Sequence, residues 1–152
     1  MPARKTFLLV EDDEYDVLFL QTEFGKTHVN LYLQVVSDGV LARQYLEGQG
    51  GYADREIHPL PDVILVDLRL PRVDGFEFLE WLRAGERGQH RLIPVVVLSS
   101  SGQPEDVLRA YTLGANSYVV KPVSWQECRE RIRALCVYWA AHAETPRITL
   151  EI

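Results

Sequence analysis

The 152-residue sequence predicts an α/β fold, a doubly wound sheet of five parallel strands with helices on both faces. Five short apolar runs alternate with five segments of helical periodicity. Within four of the five runs the apolar residues are consecutive, the pattern of a strand covered on both faces. A third observation locates function. In DVILVDLRLPRVDG, residues 62–75, the run Val63 to Val66 ends in a carboxylate, Asp67, for which a buried strand has no packing use. Open parallel sheets bind ligands beyond the carboxyl ends of their strands.

The elements follow in order along the chain. TFLLV (6–10) is an apolar strand running into Glu11-Asp12-Asp13. EYDVLFLQTEF (14–24) places Val17, Leu20 and Phe24 at helical spacing, and Gly25 is its stop signal. LYLQVVS (31–37) is a strand. Asp38-Gly39 opens a helix with Leu41, Tyr45 and Leu46 inward, and residues 48–61 form a long surface loop. After the strand 63–66, Asp74 opens a helix over 74–86 with Phe78, Leu79 and Leu82 inward. IPVVVLSSS (93–101) is the fourth strand. PEDVLRAYTLG (104–114) is a helix with proline in its first turn and glycine at its end. SYVV (117–120) is the fifth strand. Residues 124–142 form the last helix, with Trp125, Cys128, Ile132, Leu135 and Trp139 as its core stripe.

Composition narrows the function. The chain is 47% hydrophobic and 25% charged, as expected of one soluble domain, and its formal net charge of −6 argues against nucleic-acid binding. No apolar stretch approaches the ~18 residues of a membrane span, and acid follows the N-terminus too soon for a signal peptide, so a cytoplasmic location is expected. Cys128 and Cys136 stand eight residues apart in one predicted helix. That separates them by about 12 Å, beyond disulfide reach, and both are expected to be buried thiols.

Four strand ends carry polar groups: Glu11, Asp12 and Asp13 after the first, Asp67 after the third, Ser99 at the fourth and Lys121-Pro122 after the fifth. Singly, each has a plainer use, as a helix cap, a turn residue or a surface charge. Together they make a crowd of carboxylates that calls for a cation. An all-oxygen ligand set with room for water suits Mg²⁺. A carboxylate beside Mg²⁺ can act as a nucleophile toward phosphorus and become an acyl phosphate. Lys121 and Ser99 could then hold phosphoryl oxygens.

The segments LLVEDD, DVILVDLRLPRVDG, IPVVVLSS and GANSYVVKP resemble the motifs of bacterial response-regulator receiver domains, over residues 5 to 142. The resemblance implies a flavodoxin-like strand order 2-1-3-4-5, with a receiver domain over 1–144 and a tail at 145–152. It implies that Asp67 is the phospho-acceptor and that Glu11, Asp12, Asp67 and the main-chain carbonyl of Arg69 hold Mg²⁺, with Asp12 favoured as a direct ligand. Ser99 matches the switch hydroxyl, Tyr118 the switch aromatic and Lys121 the family's lysine, usually followed by a cis bond to proline. Asp13 falls outside the acidic pair and reads as a helix cap. The implied partner is a sensor histidine kinase, and the implied chemistry goes no further than the protein's own phosphoryl transfer and slow dephosphorylation.

The sequence leaves no room for an output domain, so signalling by protein contacts alone is expected. The long 48–61 loop and short tail resemble the single-domain regulators of bacterial phytochrome kinases. Arg69 and Ser101 occupy the two variable positions that tune dephosphorylation in that family. Leu18 and Phe19 add an apolar patch to the first helix, read either as a broad buried face or as a kinase-docking surface. A second apolar line on the last helix, Ala134, Tyr138 and Ala141, suits a homodimer on the face built from residues 104–142. The alternation of Ile148, Leu150 and Ile152 suits a tail strand that pairs across it. Three other classes fit less well. A haloacid-dehalogenase-type phosphatase would need a second aspartate where Arg69 stands. A dinucleotide enzyme would need its glycines to open a helix after a strand, whereas Gly48 and Gly50 follow a helix. A receiver-like binding module without phosphorylation would not need the full set of reactive groups.

Overall fold

The computed structural model describes residues 3–84 and 88–148. Five strands, β1 (Lys5–Val10), β2 (Leu31–Val36), β3 (Val63–Val66), β4 (Val95–Ser99) and β5 (Ser117–Val120), form one parallel sheet in the order 2-1-3-4-5. The helices are α1 (Glu14–Gly25), α2 (Gly39–Glu47), α3 (Gly75–Arg83), α4 (Pro104–Thr112) and α5 (Arg129–Val137). The doubly wound fold predicted from the sequence is therefore the fold observed.

The consecutive apolar residues of each strand are divided between two cores. Leu8, Val10, Ile64, Val66, Val95 and Val97 point to one face and pack with α2, α3 and Ala110 of α4. Phe7, Leu9, Val63, Leu65, Val96 and Leu98 point to the other and pack with Leu20 and Phe24 of α1 and with Cys128, Ile132, Leu135 and Cys136 of the last helical segment. Since successive side chains leave opposite faces of a strand, both neighbours must be apolar. Each fully buried side chain of this size contributes roughly 1.5–3 kcal/mol, and the three central strands are buried along Thr6–Val10, Val63–Val66 and Val95–Ser99.

Local chemistry sets the helix starts. Asp13, Asp38 and Asp74 cap α1, α2 and α3, each accepting hydrogen bonds from backbone N–H groups of the first turn. Several boundaries differ from the sequence reading. The last helix is three pieces: a 3₁₀ turn (Trp125–Cys128), α5, and a π turn (Tyr138–His142). Cys128, Ile132 and Leu135 face the core and Trp139 is half-buried against it, while the side chain of Trp125 lies outside the described structure. The 48–61 loop is less irregular than predicted. It contains a 3₁₀ turn (Gly50–Tyr52), and Arg55 donates to the carbonyls of Tyr45 and Leu46 at the end of α2 and of His58. One side chain thus ties the loop to carbonyls of the last turn of α2. Cys128 and Cys136 are free and buried.

Residues 143–148 follow the chain's own surface. Lys5 Nζ donates to Thr145 Oγ1 at 3.1 Å, and Ile148 packs against the α2–α3 core. These tail residues form no strand. Leu150 and Ile152, which complete the alternation, lie outside the described residues. Among the described residues no helix is long and apolar enough to cross a membrane.

Candidate functional site

The carboxyl ends of β1, β3, β4 and β5 bring the predicted residues together. Asp67 follows β3, and its backbone N–H donates to the Val10 carbonyl at 3.1 Å. Glu11 follows β1, and its N–H donates to Val36 at 3.0 Å. Sheet pairing therefore continues through the residues that carry the carboxylates and fixes their direction. One oxygen from each of Glu11, Asp12 and Asp67 lies within 4.8 Å of the others, a donor set that fits a divalent cation. Glu11 is 2% exposed, Asp67 is partly open at 13% of its side chain, and Asp12 is exposed.

Lys121 reaches the same point from β5. Its N–H donates to the Ser99 carbonyl at 2.7 Å, and its ammonium donates to Glu11 Oε2 at 2.5 Å, Asp16 Oδ2 at 2.8 Å and Asp67 Oδ2 at 2.9 Å. Among the described residues there is no cis peptide bond, so the expected cis Lys121–Pro122 link is not found. The ammonium reaches the site with a trans link, drawn there by three carboxylates. Burial pushes Glu11 up to about 7, against the pull of Lys121. Burial alone would lower Lys121, but hydrogen bonding to Asp16 and the charges of Asp67 and Glu11 outweigh it and raise the ammonium above its ordinary value.

Asp67 Oδ1 accepts from the Arg69 N–H at 3.2 Å, while the Arg69 side chain is exposed at the rim. Ser99 is fully buried, and its Oγ accepts from the Ser101 N–H at 3.2 Å. The Ser101 hydroxyl donates to Asp106 on α4, and the Tyr118 hydroxyl donates to the Ser101 carbonyl at 2.7 Å. Ser99, Ser101 and Tyr118 are thus linked through one loop. Arg69, Ser99, Ser101, Asp106 and Arg109 line an open cavity of about 560 Å³ beside Asp67, floored by Leu68 and Phe76.

Gly75 sits where α3 crosses behind Asp67. A Cβ there would collide with the Asp67 carbonyl and the Leu68 Cα, both backbone. Gly75→Ala should therefore cost about 1–3 kcal/mol and displace Asp67. Urea unfolding with unchanged stability would contradict this close approach.

Sequence reading missed two groups. Asp16, in the first turn of α1, reaches Lys121. Glu23 is 1% exposed and pairs with Lys26, Arg129 and Arg133 across α1 and the last helix. Lys26 is only three residues from Glu23, but the pairings of Asp16 with Lys121 and of Glu23 with Arg133 join segments more than 100 residues apart and leave no trace in a linear pattern.

The family model for the response regulator receiver domain matches residues 7–133. The chain belongs to this family. Among curated relatives, the probable methanogenesis regulatory protein FilR2 of Methanothrix harundinacea is 35% identical over 91% of this chain and 86% of its own. Response regulator Rcp1 of Synechocystis is 32% identical, over 93% of both. Among solved structures, the phosphorylated cyanobacterial phytochrome response regulator RcpA superposes with a TM-score of 0.86 at 32% identity, covering 95% of this chain and 100% of that one. RPA3017, a response regulator in red light signalling of R. palustris, gives 0.85 at 35% identity, covering 97% and 100%. The Mn²⁺-bound form of Rcp1 gives 0.84 at 31%, covering 94% and 99%.

Proposed function

We propose that this receiver protein accepts a phosphoryl group on Asp67 from a sensor histidine kinase and signals through phosphorylation-dependent protein contacts. The carrying observation is the placement of the Asp67 carboxylate: held at a strand tip, partly exposed, and within hydrogen-bond reach of Lys121. An Asp67 oxygen would form the P–O bond as the P–N bond of a phosphohistidine breaks and the imidazole leaves. Lys121 would hold a phosphoryl oxygen. Glu11, Asp12, Asp67 and the Arg69 carbonyl would hold Mg²⁺, which when bound neutralises charge on the incoming group. Ser99 would turn toward the phosphoryl group, and Tyr118, released from the Ser101 carbonyl, would take up a second position. The likeness to the phytochrome response regulator RcpA and to RPA3017 of red light signalling supports a phytochrome-type kinase as the donor.

The test is incubation with acetyl phosphate and Mg²⁺, followed by intact mass and peptide mapping. One phosphoryl group should appear, map to Asp67 and fail to form in the presence of a chelator. An adduct that forms equally well under chelation would remove the metal from the proposal. An adduct on another residue would remove Asp67.

We further propose that the face of α4 and the last helix binds a second copy. Leu108, Tyr111, Val123 and Tyr138 are exposed there, with Ala134 and Ala141 beside them. An apolar line in water on a charged helix favours a two-fold partner. Tyr138→Glu should shift a micromolar sample to monomer mass in light scattering, by placing a charge in a desolvated contact. A wild-type monomer, with and without acetyl phosphate, would end this proposal. Deleting residues 145–152 should weaken the dimer only if the tail crosses to the neighbour.

A further inference from the structure

The Lys121 ammonium has three N–H bonds, and three carboxylates take them. Glu11 and Asp67 belong, with Asp12, to the cluster whose oxygens converge within 4.8 Å. Asp16 does not. It stands in the first turn of α1, where its N–H is fixed on Asp13 Oδ1 at 3.1 Å. Its side chain is 19% exposed, and that of Lys121 is 7%. An acid in a first helical turn has a plainer use, complementing the positive end of the helix. Glu14 already serves that use from the same turn, in solvent. The contact with a lysine 105 residues away in sequence goes beyond it.

We propose that Asp16 is a positioning residue for phosphoryl acceptance, the counter-ion that keeps the Lys121 ammonium beside Asp67 when Glu11 and Asp67 turn to a divalent cation. The inference rests on the metal-assisted reading above. Glu11 and Asp67 cannot attract Lys121 at full strength while they neutralise a dication, and the dication repels the ammonium. Asp16, outside the cluster, keeps its contact with Lys121. Without it the four-carbon lysine stem is free to swing to solvent, and a lysine that has left the pocket cannot meet a phosphoryl oxygen. Asp16 therefore matters little before the cation binds, when Glu11 and Asp67 suffice, and matters most afterwards.

The chain has three lysines, Lys5, Lys26 and Lys121, so amine labelling can be resolved site by site. Wild type and Asp16→Asn are treated with the N-hydroxysuccinimide ester of acetic acid, with and without Mg²⁺, and mapped by mass, with Lys5 and Lys26 as internal standards. In wild type Lys121 should label slowly in both conditions. In Asp16→Asn it should label slowly without Mg²⁺ and about tenfold faster with it, as one charge-assisted hydrogen bond is lost. Phosphorylation by acetyl phosphate should fall about tenfold in parallel, and Asp16→Glu should restore part of both. Labelling of Asp16→Asn that ignores Mg²⁺ would overturn the proposal. So would labelling that is already fast without it, since that is the mark of a merely structural ion pair. Calorimetric titration of Mg²⁺ into both proteins separates the two readings. A wild type that takes up no Mg²⁺ fails the metal-assisted reading and this inference with it, whereas normal uptake with unchanged labelling fails this inference alone.

Discussion

Asp67→Asn should abolish the acetyl phosphate adduct while leaving the fold intact. An amide has no anionic oxygen to attack phosphorus, and none of the other carboxylates has the same setting. Glu11 is buried, Asp12 is exposed and without the lysine, and Asp16 lies outside the converging oxygens. The loss should exceed about a thousandfold, the scale on which removing a nucleophile acts. Stability should not fall. The amide oxygen keeps the shape of the carboxylate and can still accept from Arg69 N–H or Lys121, and one of several crowded negative charges disappears. The Asp67 charge is among the influences that push Glu11 up, so Glu11 should titrate lower in the variant. Intact mass reads the first effect, thermal unfolding the second, and carbon-detected NMR titration of Glu11 the third. A persisting adduct would move the acceptor elsewhere. A large loss of stability would show that Asp67 is chiefly a structural partner of Lys121.

The sequence showed most of the frame and part of the site, for separable reasons. The strands were legible because burial on both faces forces consecutive apolar residues, as in Val63 to Val66 and Val95 to Leu98. Helix starts were legible at Asp13, Asp38 and Asp74 because capping is local chemistry. Strand-end carboxylates stood out because nothing in packing calls for them. Partnership did not stand out. Which acid faces Lys121 depends on the rotation of α1 over the sheet, and the linear pattern could not separate Asp16 from Glu14. Glu23 was hidden for the same reason: its three cations arrive from its own helix end and from the last helix. The break of the last helix into 3₁₀, α and π turns was also invisible, since one apolar stripe serves all three.

Lys121→Met should give the largest change in stability, and its size should depend on pH. In metal-free buffer the variant leaves Glu11, 2% exposed, without its cation. Removing one partner of a buried ion pair costs about 3–5 kcal/mol. For a chain of this length that lowers the unfolding temperature by roughly 10 °C. The sign of the pH dependence follows from Glu11. Its folded value, about 7, lies above the ordinary 4.5, so its contribution to stability is fully present below 4.5 and is lost as pH rises through about 7. At pH 5 the wild-type Glu11 is already protonated, and Lys121 has less to hold there. The gap between wild type and Lys121→Met should therefore be widest near pH 8 and narrow toward pH 5. Lys121 itself, raised above its ordinary value, stays charged throughout and does not blur the comparison. Mg²⁺ at pH 8 should recover part of the loss by supplying the missing positive charge, although phosphorylation should stay at least about a hundredfold down, because the cation cannot replace the lysine at the phosphoryl oxygen. Calorimetry across pH 5 to 8, repeated with Mg²⁺, reads these effects together. A gap that stays constant with pH would mean that Asp16 and Asp67, and not Glu11, carry the lysine's contribution to stability.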